Sequence, residues 1–128
     1  IPWLRLLYLY PNRVTDALLD IMAADGRLLA YFDIPLQHVS PRILSAMRRP
    51  YADTDIDALL ARIRARLPRA AIRTTLITGF PGESEEDVEM LAAFLREKRL
   101  HHVGIFAYSR EEGSEAASLP GQLPDEEK

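Results

Sequence analysis

Four apolar runs divide the chain: Leu4 to Tyr10, Ala30 to Leu36, Ala71 to Thr78, and Val103 to Tyr108. They are nearly continuous rather than alternating, which predicts strands covered on both faces of a parallel sheet. Between them the apolar positions recur with a helical period. Val14, Leu18, Ile21 and Met22 form one set; Ile56, Leu59, Leu60, Ile63 and Leu67 a second; Val88, Leu91, Ala92 and Leu95 a third. Each set paints one stripe on a helix. A shorter helix is expected to begin at Ser40–Pro41, with proline at its first position, and to carry Ile43, Leu44 and Met47. Ser84 with Asp87 and Thr54 with Asp57 have the spacing of capping boxes. The order is β-α-β-α-α-β-α-β. With right-handed crossovers this gives an α/β fold built on a parallel sheet. Residues 1–108 form that body. Residues 109–128, rich in Glu, Ser, Pro and Gly, read as an exit segment or linker with the composition of a disordered stretch.

Composition adds mainly exclusions. A length of 128 residues suits one core, and 48% hydrophobic with 27% charged residues is an ordinary globular balance. The net charge of −3 gives no whole-chain electrostatic case for nucleic-acid binding. No apolar run reaches the length of a membrane span, and no signal-type leader precedes the first strand. With no cysteine, disulfides and thiolate-held metals are ruled out for these residues, and a cytoplasmic location is expected. The start at Ile1, directly before a strand-like run, reads as an excerpt of a longer protein.

Ligands of parallel α/β folds gather beyond the carboxyl ends of the strands. Tyr10-Pro11-Asn12, Pro35-Leu36-Gln37-His38, Thr78-Gly79-Phe80-Pro81-Gly82-Glu83 and Tyr108-Ser109-Arg110-Glu111 meet there. Those ends suit a site and suit ordinary loop chemistry equally. Gly79 and Gly82 permit a sharp turn or a close backbone approach to a ligand, but no lysine follows, so this is not a P-loop. His38 can orient a substrate or carry a proton, or it can be a loop histidine bonded to backbone. His101 and His102 would face opposite sides of a strand and are read as structural. Arg5 and Arg73 interrupt apolar strands and call for partners, such as an internal pair with Asp33 or a ligand carboxylate. Arg62, Arg64, Arg66 and Arg69 read as a solvated helix face, and the acids of residues 83–87 as helix N-terminal charges.

Several stretches, taken together, resemble one family. They are Arg5-Leu6-Leu7-Tyr8-Leu9-Tyr10-Pro11; Tyr31-Phe32-Asp33-Ile34-Pro35-Leu36-Gln37-His38 with Leu44, Met47, Arg48 and Arg49; Arg73 through Asp87; and Phe106 through Ser114. In this order and spacing they resemble the radical SAM domain of the methylthiotransferases. Ile34-Pro35-Leu36-Gln37-His38 is similar to the RimO branch, whereas the transfer-RNA branch usually has serine-glycine in place of His38-Val39.

The resemblance implies four strands of a partial, six-stranded TIM-type barrel. It implies a parent enzyme that adds a methylthio group to an aspartate of a small-subunit ribosomal protein, using S-adenosylmethionine and two [4Fe-4S] clusters. It also implies roles. Gln37 and His38 would face the shared cofactor and substrate space as catalytic residues. Arg73, Thr75, Ile77, Gly79, Tyr108 and Ser109 would line the cofactor, with no metal ligand in these residues. The family's three-cysteine motif and flanking domains are missing from these 128 residues, so the chain alone should be inactive. It is also expected to self-associate through exposed edge strands. The alternatives are a transfer-RNA methylthiotransferase and a non-catalytic α/β binding module.

Overall fold

The computed structural model describes residues 1–52 and 54–128. Four parallel strands, β1 (Leu4–Leu6), β2 (Leu28–Asp33), β3 (Ala71–Thr78) and β4 (His102–Ala107), lie side by side in chain order. Helix α1 (Asp16–Ala24) follows β1, α2 (Pro41–Ala46) and α3 (Ile56–Arg66) follow β2, and α4 (Glu85–Lys98) follows β3. This is the parallel α/β architecture expected of part of a TIM-type barrel.

The core lies on one face of the sheet. Phe32, Ile34, Leu36, Ile72 and Leu76 pack against Leu19 and Met22 of α1, Leu59, Leu60 and Ile63 of α3, and Leu91 and Phe94 of α4. Two stripes differ from expectation. Ile21 and Val88 are exposed, and Leu19 and Phe94 take their places in the core. The period was read correctly, but its phase is set by which residue meets the sheet, and a stripe of mixed apolar residues leaves that open.

The expectation that all strands are covered on both faces is corrected. Along β3, Ile72, Thr74 and Leu76 are buried, while Arg73 is exposed and Thr75 and Ile77 are half-buried. The sheet thus has a helix-covered face and an open face. On β4 both faces are bare: Ile105 is 55% and Phe106 is 59% exposed. Arg5 and Arg73 face solvent, and neither forms an ion pair among the described residues; Arg5 instead lies 4.4 Å over the Tyr31 ring.

Only β3 keeps its expected bounds. β1 ends at Leu6 because Tyr8 adopts a left-handed backbone, φ 56°, before Leu9 N–H rejoins β2 at the Asp33 carbonyl, 2.8 Å. β2 ends at Asp33 because Pro35 has no N–H to give. The chain still follows β3 beyond that point. Gln37 N–H donates to the Thr75 carbonyl at 2.9 Å, and the Gln37 carbonyl accepts from Ile77 N–H at 2.7 Å.

The arginines of α3 do more than face water. Arg62 and Arg66 pair with Asp16 and Asp20 of α1, at 2.9 Å and 2.8 Å, and Arg64 donates to the carbonyl of Lys98. Each exposed pair contributes little alone, but together they tie α3 to both neighbouring helices. Ser40 precedes the proline at the start of α2 as expected, without a side-chain cap. The cap of α3 is Asp55 rather than Thr54; its carboxylate accepts from Ala58 N–H at 2.9 Å. Ser84 and Asp87 form the complete capping box of α4. Residues 109–128 carry two 3-10 turns and fold back on the sheet end, where Gly121 carbonyl accepts from Gly82 N–H at 2.9 Å.

Asp87 is one of the buried acids of this fold, 5% exposed. Burial alone would raise its pKa. The Ser40 hydroxyl, the Ser84 backbone and hydroxyl, and the Arg42 guanidinium outweigh that and hold it at about 2, from 3.8. A depressed folded-state value contributes stability above the unfolded pKa, and that contribution is lost as pH falls through the folded value. Asp87 should therefore contribute on the order of 2 kcal/mol at neutral pH, fading between about pH 4 and pH 2. Denaturant unfolding of Asp87→Asn should show that loss at pH 7 and a flatter stability profile through the acid window. An unchanged profile would contradict the assignment.

The bare β4 edge generates a second expectation. The chain by itself should self-associate, and Ile105→Lys with Phe106→Lys should shift it toward monomer in light scattering. A monomer at high concentration without these changes would count against it.

Candidate active site at the carboxyl ends of the strands

The site begins where the strands end. Two loops meet there: residues 34–40 after β2 and residues 79–84 after β3. A buried polar seam joins them. His38 is fully enclosed, its side chain 0% exposed, and both ring nitrogens are used. Nδ1 accepts from Ser40 N–H at 2.9 Å, so the ring hydrogen sits on Nε2, which faces Glu83 Oε1 at 3.0 Å. The other Glu83 oxygen accepts from Gly79 N–H. One step further out, Arg42 of α2 pairs with Asp87 of α4. Gly79 has φ 72°, a backbone that suits glycine, and Glu83 fastens its N–H. The N–H at this turn is thus spent inside the protein rather than offered to an anion.

The expected site residues separate into groups. Arg73, Thr75 and Ile77 alternate along β3 on the open face, in register with His102, Gly104 and Phe106 of β4. A Cβ on Gly104 would meet the Phe106 ring at 3.4 Å, an ordinary contact. Tyr108 leaves β4 by donating its N–H to the Thr78 carbonyl, 2.8 Å, and its ring packs edge-on against Phe80 at 5.4 Å. Ser109 is exposed and hydrogen-bonds Glu111 at 3.0 Å. Ile77, Phe80 and Tyr108 border a cavity of about 340 Å³, closed on its far side by Glu115, Ala116 and Leu119 of the returning segment. Gln37 borders a different cavity of about 160 Å³, with Tyr8, Tyr10, Pro35, Arg49 and Tyr51. His38 opens onto neither. The ring lies inside the seam, which uses both of its nitrogens.

Arg49 lines both cavities and was not singled out as a site residue from sequence. Its place before Pro50, just past the end of α2, restricts its backbone, but nothing in the local sequence reports which cavity its side chain lines.

A fold that satisfies its buried polar groups elsewhere leaves three of them open here. Among the described residues, the buried side-chain polar atoms without a partner are Asp33 Oδ1, Arg49 Nε and Tyr108 Oη. Asp33 closes β2, Tyr108 follows β4 and Arg49 follows α2, so all three belong to the same rim. Such atoms cost free energy unless a ligand or water meets them. The rim also holds three of the non-glycine residues with left-handed backbones, Tyr8, Gln37 and Arg48. Such strain tends to collect at ligand sites. An apolar, aromatic-walled cavity beside unspent polar atoms fits the nucleoside part of an adenosyl cofactor. An iron–sulfur cluster does not fit these residues. The chain has no cysteine, and no group of three metal-ligating side chains lies among the described residues.

Glu83 carries a direct test of the seam. Glutamine has one oxygen where the carboxylate has two, so Glu83→Gln must point an amide N–H₂ at another donor, His38 Nε2–H or Gly79 N–H. We expect a loss of roughly 1–3 kcal/mol, read by thermal unfolding, together with faster amide exchange at Gly79. Full stability in this variant would mean that the seam is not the joint described.

The comparisons with known proteins agree with this geometry. Residues 4–95 match the radical SAM superfamily. The chain is 48% identical over its whole length to the ribosomal protein uS12 methylthiotransferase RimO of Desulfotalea psychrophila, covering 29% of that protein. It is 52% identical over 125 residues to the protein of the same name from Gloeobacter violaceus, which is 98% of this chain and 29% of the relative. The corresponding figures for Protochlamydia amoebophila are 49% over 126 residues, 98% and 26%. The chain thus spans less than a third of the length of the curated relatives it matches. With the family match covering three of the four strands, three helices and most of α4, the chain belongs to the radical SAM superfamily.

Proposed function

We propose that this chain is the cofactor-facing segment of a longer methylthiotransferase of the RimO type. That enzyme adds a methylthio group to an aspartate of small-subunit ribosomal protein uS12, a reaction placed in the cytoplasm with its substrate. The observation that carries the reading is identity of 48–52% over 98–100% of the chain with proteins of that name. The open rim, with its unspent polar atoms, supports it from the structural side.

When bound, S-adenosylmethionine and two [4Fe-4S] clusters would supply the radical and sulfur chemistry. The clusters would be held by cysteines outside these residues. The chain's own residues bind and orient. Ile77 and Tyr108 wall the larger cavity for the adenosine, with Thr75 below them on the open face and Gly79 and Ser109 at its lip. Arg73, on the same face and without an ion pair among the described residues, supplies a positive charge toward the cofactor. Gln37 presents its amide from a backbone fixed at both N–H and C=O, and stands nearest the chemistry. His38 serves as a positioning residue: through Glu83 it fixes the Gly79 turn that ends the cofactor strand.

Catalysis separates the chain from its parent. Without the cluster the cofactor loses its main anchor, and affinity rests on convergent groups in a pre-formed pocket. The chain alone should form no 5′-deoxyadenosine under reducing conditions, and the reconstituted full-length protein should form it. In the full-length protein, Gln37→Ala should lower methylthio transfer to the ribosomal protein with stability unchanged. His38→Ala should lower transfer and melting temperature together. Mass spectrometry of the ribosomal protein after anaerobic turnover reads the result. Unchanged product from both variants would remove these residues from the site, and product on transfer RNA instead would overturn the substrate.

A further inference from the structure

The smaller cavity holds a charge that the protein does not use. Arg49 lies just past the end of α2, its main chain tied down by a hydrogen bond from its N–H to the Leu44 carbonyl at 2.9 Å. Its Nε is buried without a partner, and no carboxylate of the described residues pairs with its guanidinium. Arg48, beside it, is paired with Glu115 at 2.8 Å, so the acid that lines the larger cavity is already taken. Asp33, the buried acid at the end of β2, receives the Tyr8 N–H instead, 3.5 Å away.

The walls make that charge selective. Tyr10 and Tyr51 pack with ring centroids 5.8 Å apart, and the Tyr51 hydroxyl is spent on the Pro35 carbonyl at 3.1 Å. These rings offer the cavity no carboxylate. The Gln37 amide, unbonded to any described residue, stands at the same wall. At about 160 Å³ the cavity falls below the roughly 300–1,000 Å³ that holds a whole small molecule, so it suits a side-chain-sized group. A guanidinium in such a place costs free energy until an anion meets it, and its planar fork matches a carboxylate.

We propose that Arg49, with Gln37 beside it, is a carboxylate-binding subsite on the substrate side of the rim. Two sources present that chemistry: an aspartyl side chain of a peptide, or the amino-acid end of S-adenosylmethionine. The first source rests on the methylthiotransferase reading above; the subsite itself does not.

The experiment uses the full-length protein, kept anaerobic, and measures binding rather than turnover. One pair of probes is a ribosomal-protein peptide with its target aspartate and the same peptide with asparagine. The other pair is S-adenosylmethionine and 5′-methylthioadenosine, which lacks the amino acid. The wild type should prefer the carboxylate member of one pair by about 10- to 100-fold, the range of a hydrogen bond to a charged group. Arg49→Met should leave the affinity of the other member unchanged. In the peptide pair it should abolish that preference; in the nucleoside pair, where the cluster also holds the amino acid, it should cut the preference by about 10-fold or more. Arg49→Lys should keep part of it.

Dependence in the peptide pair assigns the subsite to substrate, and dependence in the nucleoside pair assigns it to cofactor. In the second case the subsite stands even if the ribosomal peptide fails to bind and the substrate reading falls. No preference in the wild type for either pair overturns the proposal, whatever the folding of the variants. A preference that Arg49→Met leaves undiminished in both pairs overturns it as well.

Discussion

The joint between the loop after β2 and the turn after β3 is the constraint on which the rim depends. Parallel strands cannot be tied at their carboxyl ends by short hairpins, because each connection must cross back over the sheet. Something else must hold neighbouring ends in register. Here it is a pair of buried carboxylates. Glu83 holds the His38 ring and the Gly79 N–H, and Asp87 gathers Ser84 and Arg42. Every member is met by a complementary group, which is the condition under which buried polar groups rigidify a structure rather than weaken it. Because both acids belong to the start of α4, the helix, its cap and the glycine turn move as one piece.

That economy inside the seam makes the open atoms beside it informative. The fold satisfies a fully buried histidine at both nitrogens, and orients a left-handed Gln37 through two backbone hydrogen bonds. Yet at the same end of the sheet it leaves Asp33, Arg49 and Tyr108 each with a buried unpartnered atom. A sequence able to build the first arrangement does not need to leave the second. The contrast separates what holds the rim together from what the rim holds.

Much of this was legible beforehand, for reasons that can be named. β3 was bounded correctly because its flanks are unambiguous: a polar arginine-rich helix end before it and Gly79 after it. The Ser84–Asp87 box and the Ser40–Pro41 start are local signals that need no tertiary information. The errors lie where tertiary structure decides. Leu4 to Tyr10 is apolar apart from Arg5, but the chain leaves the ladder at Tyr8, and no periodicity reports a backbone flip. Phe94 displaces Val88 from the core because rotation about a helix axis is set by the sheet it meets. The surroundings of His38 also lie outside any local pattern. Its fate was decided by Glu83, 45 positions away.

Gln37 and His38 show how adjacent residues divide the labour of one loop. With φ 66°, Gln37 turns the chain so that its own peptide groups finish the β3 ladder while the next side chain is thrown inward. An extended residue at that position would put the two side chains on opposite faces with no sharp change of depth. The left-handed turn sinks His38 below Ser40 and leaves Gln37 at the cavity wall. A non-glycine residue in that conformation carries a cost of order 1–3 kcal/mol. The two backbone hydrogen bonds to β3 and the enclosed His38–Glu83 contact are what hold it there. The strain that places the amide at the cavity and the seam that fixes the rim are therefore two ends of one structure, and weakening the seam should release the amide as surely as removing it.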